Sequence, residues 1–155
     1  MQIRLFKKED AEETAQVIAE TLRLSNSKDY PEQYIELNIA FHSADKLIEA
    51  AKERHIYVVC DSDRIIGTGG IAGYWGSLTE SILLTIFVLP EYQGKGVGRK
   101  IIETLEKDEY FLRAKRIEIP ASITAVEFYR KMGYDYKNGN KELGDELMYR
   151  LEKFR

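Results

Sequence analysis

Apolar and polar positions alternate from Ile3 to Phe6, which predicts a first strand with one buried face. Asp10 followed by Glu13 has the pattern of a capping box at a helix start. Ala11, Ala15, Ile18 and Leu22 then recur at helical spacing, and Asn26 and Ser27 break that helix. Two further helices are expected over residues 31–54. Pro31 suits a first helical position. Tyr34, Leu37 and Phe41 fall on one face of the first, and Ser43 caps a second that carries Leu47, Ile48 and Ala51. Tyr57-Val58-Val59-Cys60 reads as a buried strand, Asp61 to Arg64 as a turn, and 65–75 as the next strand. Gly67, Gly69, Gly70 and Gly73 remove side-chain bulk from it and point to bulges or a close backbone approach.

Residues 81–89 are nearly all apolar, the pattern of a strand covered on both faces at the centre of a sheet. Pro90 ends the run, and a glycine-rich loop follows. Ile101, Ile102 and Leu105 give the inward face of a helix over about 98–110. A strand over 116–119, a helix over 122–132 stopped by Gly133, and strands over 134–136 and 146–151 complete the order. The pattern predicts one mixed α/β domain over residues 1–155: early helices, a central meander, then strand, loop, helix, strand, helix.

Composition narrows the function. The net charge is -3 and no part of the chain is heavily basic, so nucleic acid is not an expected partner. Cys60 is the single cysteine, which rules out an internal disulfide and argues against a thiolate metal site. His42 and His55 lack ligand spacing, so no metal is expected; His42 reads as a helix-surface residue and His55 as a strand entry. No apolar run is long enough for a membrane helix, and the N-terminus runs straight into charge rather than forming a signal peptide. The expectation is a cytoplasmic protein without membrane association.

The chemistry concentrates between Leu84 and Lys100. A buried strand runs into a loop holding Gly94, Gly96 and Gly98, which opens a helix. Glycines let backbone approach a ligand, and free N–H groups at a helix start favour negative charge. That is a pyrophosphate site, with Lys95, Arg99 and Lys100 adding positive charge. The P-loop ending Gly-Lys-Ser/Thr is absent. The dinucleotide fingerprint fails too: counted from Gly96, its third glycine would fall on Ile101.

Gln93-x-x-Gly96-x-Gly98 resembles the pyrophosphate loop of the GNAT acetyltransferases. Phe87-Val88-Leu89-Pro90-Glu91-Tyr92 resembles the strand that enters that loop. A second block, Ala125-Val126-Glu127-Phe128-Tyr129-Arg130-Lys131-Met132-Gly133-Tyr134, is similar to the family's later helix, in the same order and spacing. The resemblance implies a single-domain GNAT fold: a mixed, mostly antiparallel sheet of six to seven strands, splayed at the cofactor site and flanked by helices. It implies acetyl-CoA as acyl donor and an amine of a small molecule or peptide as acceptor.

The resemblance also assigns roles. Ile86, Phe87 and Val88 would hydrogen-bond the pantetheine arm through their backbone, and an N–H near Val88 would polarise the thioester carbonyl. Gln93, Gly94, Lys95, Gly96, Val97, Gly98 and Arg99 would cradle the pyrophosphate. Tyr129 would protonate the departing thiolate, against the simpler reading that it packs beside Phe128. Ser122 stands where many members have an asparagine that contacts the cofactor; it also reads as a helix cap. Histone-modifying members carry a glutamate on the fourth strand where this chain has Leu83, which leaves Glu80 and Glu118 as candidates for a base acting through water. Tyr30, Tyr34, Phe41, Tyr74 and Trp75 read as core residues, some of which could wall the acceptor pocket. Pairing into a homodimer is a further implication, with Leu147, Tyr149 and Leu151 alternating on a late strand. Two other readings are a CoA-binding GNAT-fold sensor or interaction module without turnover, and a nucleotide-binding domain.

Overall fold

The computed structural model describes residues 1–155 as one seven-stranded sheet with helices packed on it. The strands are β1 (Gln2–Leu5), β2 (His55–Asp61), β3 (Arg64–Gly73), β4 (Glu80–Val88), β5 (Arg116–Ser122), β6 (Asp135–Tyr136) and β7 (Met148–Phe154). Their order across the sheet is β1-β2-β3-β4-β5-β7-β6, and only β4 and β5 run parallel. The helices are α1 (Ala11–Leu24), α2 (Glu32–Phe41), α3 (Ala44–Ala50), α4 (Val97–Leu105), α5 (Glu109–Leu112) and α6 (Val126–Lys131).

Helices α1 and α4 both pack on β3 and β4. The glycines of β3 make the second contact possible. A Cβ on Gly69 would stand 2.4 Å from Cγ2 of Ile101, so any side chain there would push α4 off the sheet. Ile101, Ile102 and Leu105 are fully buried in the main core, as their spacing predicts. A smaller core beside it joins Ile18 and Leu22 of α1 to Tyr30, Ile35 and Leu47.

Several local expectations change. Asp10 caps nothing in α1. Its carboxylate accepts from the Lys7 N–H at 2.7 Å and from Arg4, closing the turn before the helix, while Glu13 accepts from the Ile65 N–H at 2.7 Å. Pro31 sits just outside α2, at its N-cap position. The inward face of α2 carries Ile35; Leu37 and Phe41 are exposed. The helix expected over 98–110 breaks after Leu105, because the Asp108 carboxylate accepts from the Tyr110 N–H at 2.8 Å and starts α5 anew. Ser43 does cap α3, accepting from the Lys46 N–H, and Gly133 ends α6 at φ +99. Leu151 and Tyr149 of the late strand serve this chain's own core, with Leu151 fully buried.

Candidate functional site

Strand β4 pairs with β5 only from Glu80 to Ile82. Beyond that point the strands part, while β5 stays paired to β7 as far as Ser122. The second half of β4 therefore keeps a row of peptide groups on an edge with no strand beside it. Buried backbone polar groups need partners, so such an edge invites an extended ligand to complete it. The opposite edge of β4 is held by β3, with a bulge where the register shifts between Thr68 and Gly70. Thr85 lies at that bulge with φ +59, a left-handed conformation a β-branched residue resists. Arg54 steadies it by donating to Thr85 Oγ1 at 3.2 Å.

The gap between β4 and β5 opens into a cavity of about 570 Å³. One wall is Leu83 to Val88, and the far wall includes Ile119, Pro120 and Ser122 of β5 with Ala125, Phe128 and Tyr129 around the start of α6. The glycine-rich loop closes one end through Gln93, Gly94, Gly96, Gly98 and Arg99. Gly94 and Gly96 have φ +74 and +85, and a Cβ on either would meet nothing within 4 Å. The loop thus needs glycine for its conformation and leaves open space for a ligand above it. Gln93 ties the loop to the strand: its Nε2 donates to the Val88 carbonyl at 2.9 Å.

The assigned residues divide. Ile86, Phe87, Val88, Gln93, Gly94, Gly96, Gly98, Arg99, Ser122 and Tyr129 all line this one cavity. Val97 is buried in the core instead, and Lys95 is exposed with its ammonium 5.7 Å from the Tyr92 ring centre. Ser122 ends β5, and its hydroxyl accepts from the Ala125 N–H at 3.1 Å, closing the turn before α6. Tyr129 is buried, burial pushes its phenol well above the usual range, and no protein group hydrogen-bonds the hydroxyl.

Glu80 and Glu118 are not brought to the cavity. Arg116 pairs with Glu80 at 3.0 Å, with Glu152 at 2.8 Å and with Glu118. Lys137 at 3.0 Å and Arg150 at 3.3 Å complete the shell around the buried Glu118. Burial alone would raise the Glu118 carboxyl, but hydrogen bonds and charge from Arg116 and Lys137 outweigh it and hold it below the usual value. A carboxylate so neutralised is a structural anchor and a poor proton acceptor.

The other end of the cavity is built from residues with no sequence motif. Tyr30 and Tyr34 stack with ring centres 4.3 Å apart. The Tyr30 hydroxyl donates to the Leu147 carbonyl and accepts from the Ile123 N–H, both at 2.8 Å. Asn38 and His42 continue this wall one and two turns along α2, with Met148 from β7 also lining the space. His42 is thus a cavity residue, not a helix-surface one. Phe41, Tyr74 and Trp75 lie outside the lining, and Trp75 is 89% exposed.

Residues 52–136, more than half of the chain, match the family model described as an acetyltransferase (GNAT) domain. The chain belongs to the GNAT acetyltransferase family. An uncharacterized acetyltransferase of Streptococcus pyogenes serotype M1 is 33% identical over 92 residues, covering 59% of this chain and 63% of the relative. The match therefore spans less than two thirds of that curated relative's length. Among solved structures, the PaiA N-acetyltransferase of Thermoplasma acidophilum, in complex with coenzyme A, superposes with a TM-score of 0.81 at 22% identity over the whole of both chains. A GCN5-related N-acetyltransferase of Rhodopseudomonas palustris gives 0.81 at 23% identity, covering 99% of this chain and 95% of the other. These likenesses establish the GNAT fold: a mixed open sheet, parted at its centre and flanked by helices. No helix of this GNAT domain is long and apolar enough to cross a membrane.

Proposed function

We propose that this GNAT domain transfers an acetyl group from acetyl-CoA to a primary amine by direct attack. The observation that carries the reading is the parting of β4 from β5 beyond Ile82, into a cavity that the glycine loop closes. The cavity suits coenzyme A along its length. The unpaired edge of Ile86, Phe87 and Val88 would take the amide-bearing arm as an added strand. The N–H groups around Gly94 to Gly98, at the start of α4, with Arg99 beside them, would take the pyrophosphate. A thioester laid along that edge comes within reach of an N–H near Val88, which would polarise its carbonyl.

Tyr129 would donate a proton to the departing thiolate. Its buried hydroxyl stays protonated at neutral pH and has no competing partner, both of which suit a general acid. Direct attack fits the lining, since Cys60 is buried on β2 outside it and no thiol faces the donor. The homodimer belongs to the same reading. β6 covers only the stretch of β7 around Leu151 and Glu152, leaving the rest of that edge to a second copy. Competition calorimetry tests the donor site: acetyl-CoA should bind and ATP should not displace it, whereas displacement by ATP would favour a nucleotide-binding domain.

A further inference from the structure

The lining of the cavity contains no aspartate or glutamate. Its one formally charged side chain is Arg99, at the glycine-loop end. The end away from that loop is walled by the stacked Tyr30 and Tyr34, by Phe87, by Met148, and by two polar groups, Asn38 and His42. His42 follows the last residue of α2, and its ring meets Phe87 of β4 edge-on, with centres 5.3 Å apart. Its Nδ1 lies 2.7 Å from the Asn38 carbonyl oxygen. A carbonyl only accepts, so Nδ1 carries the proton and Nε2 of the neutral ring keeps a free lone pair.

We propose, resting on the acetyl-transfer reading, that this end of the cavity is the acceptor subsite, that it takes a monoamine with an apolar or aromatic body, and that His42 Nε2 receives the proton from the attacking nitrogen. A polycation has nothing here to pair with. Each additional ammonium would enter without a carboxylate partner, and an unpaired charge taken from water is costly. A monoamine avoids that cost by entering as the free base, a form the apolar walls favour. Its remaining body fits the tyrosine stack and Phe87.

The step balances as follows. The amine nitrogen bonds to the thioester carbonyl carbon, and the carbonyl π pair moves onto oxygen. A proton passes from nitrogen to His42 Nε2. The carbonyl re-forms as the C–S bond breaks, and the sulfur takes a proton from Tyr129. Amide and free CoA thiol leave, and solvent returns a proton to Tyr129 and removes one from His42.

The surroundings of His42 keep it in the accepting form. Burial lowers its basicity, the Asn38 carbonyl opposes that, and the Arg54 cation adds to it, leaving the imidazole below its ordinary value. Arg54 makes no ion pair of its own; it donates to Thr85, and its Nε has no partner. The groups in contact with His42 from α2 and β4, Asn38 and Phe87, are neutral. The neutral ring accepts protons and the charged ring does not, so the rate falls as pH drops below the His42 value, which lies under about 6.5.

The test is CoA thiol release from acetyl-CoA with 2-phenylethylamine or spermidine, followed against pH for the native chain and for His42→Gln, with acetyl-CoA affinity measured by calorimetry. The proposal expects kcat/KM for 2-phenylethylamine at least about tenfold above spermidine, with an acid limb below pH ~6.5 that remains once the free-base fraction of the amine is divided out. His42→Gln should lose about a hundredfold or more in rate and lose that limb, with acetyl-CoA affinity unchanged. Faster turnover of spermidine, or a His42→Gln enzyme with native rate and limb, would overturn it. Acetyl-CoA binding with neither amine turned over would also overturn this acceptor assignment, whereas failure of acetyl-CoA to bind the native chain would remove the underlying reading instead. A histidine NMR titration reports independently, since the chain has only two histidines: His42 should titrate below the free imidazole and shift when 2-phenylethylamine is added to the CoA-bound protein.

Discussion

A Cβ added to Gly98 would stand 3.0 Å from Cζ of Phe128, so the third glycine of the loop and the ring before Tyr129 are in contact. This joins the two sequence blocks physically. The glycine lets α6 approach α4, and that approach brings Tyr129 to the same cavity as the loop.

The contact predicts coupling. Gly98→Ala gains helix propensity of about 1 kcal/mol but crowds the ring. Phe128→Leu makes room. In urea denaturation the double variant should be more stable than the sum of the single effects, by about 0.5–3 kcal/mol. Simple additivity would show that Phe128 moves aside freely and that the glycine is needed for the ligand alone.

Gly96→Asp places a carboxylate in the open space above the loop. The residue has φ +85, which aspartate tolerates better than most, and its Cβ touches nothing. The expected result is a folded protein whose acetyl-CoA affinity drops at least about tenfold, equivalent to about 1.4 kcal/mol. Calorimetric titration reads it directly. Unchanged affinity in the folded variant would take the loop out of the donor site.

Tyr129→Phe removes a hydroxyl that no protein group holds, so the thermal midpoint should stay or rise. If the hydroxyl is the acid, kcat falls about ten- to a thousandfold with acetyl-CoA affinity retained. The pH dependence has a definite sign. An acid works while protonated, and burial raises the Tyr129 value, so it should impose no alkaline limb below about pH 10. Full kcat in the variant would return Tyr129 to a packing role.

The Arg116 cluster predicts a stability effect separate from catalysis. Glu118 has its carboxyl lowered in the folded chain, so its contribution is present above the unfolded value of about 4.3 and is lost as pH falls below it. Arg116→Met removes the cation shared by Glu118, Glu80 and Glu152 but leaves Lys137 and Arg150 on the buried carboxylate, and should cost about 1–3 kcal/mol. Denaturation at pH 7 checks it, and loss of less than about 1 kcal/mol would mark the cluster as no more than a solvent-screened surface network.

The sequence carried much of this arrangement where local chemistry is self-sufficient. The loop glycines, the glycines of β3 and the Gly133 stop act through their own backbone, and the nearly all-apolar run of β4 needs only burial, so the local pattern announces each of them. The acceptor end was not legible. Tyr34, Asn38 and His42 form a wall only because α2 packs with Ile35 inward, whereas the larger Leu37 and Phe41 suggested another face. Glu80 looked available because only the pairing of β4 with β5 sets Arg116 beside it, and Glu118 because Lys137 and Arg150, which join Arg116 around it, lie far along the chain. Asp10 misled for a related reason: Arg4 and the Lys7 N–H, both before the helix, claim the carboxylate that the pattern gave to α1.

The most direct measurement is amine-dependent release of CoA thiol from acetyl-CoA by the purified chain, with the acetylated product identified by mass. The account predicts that thiol appears only when protein, acetyl-CoA and amine are all present, in equal amount with an N-acetylated product. Acetyl-CoA binding without amine-dependent thiol release, over a panel spanning monoamines, polyamines and peptide amino termini, would contradict it and leave a CoA-binding module in place of an enzyme.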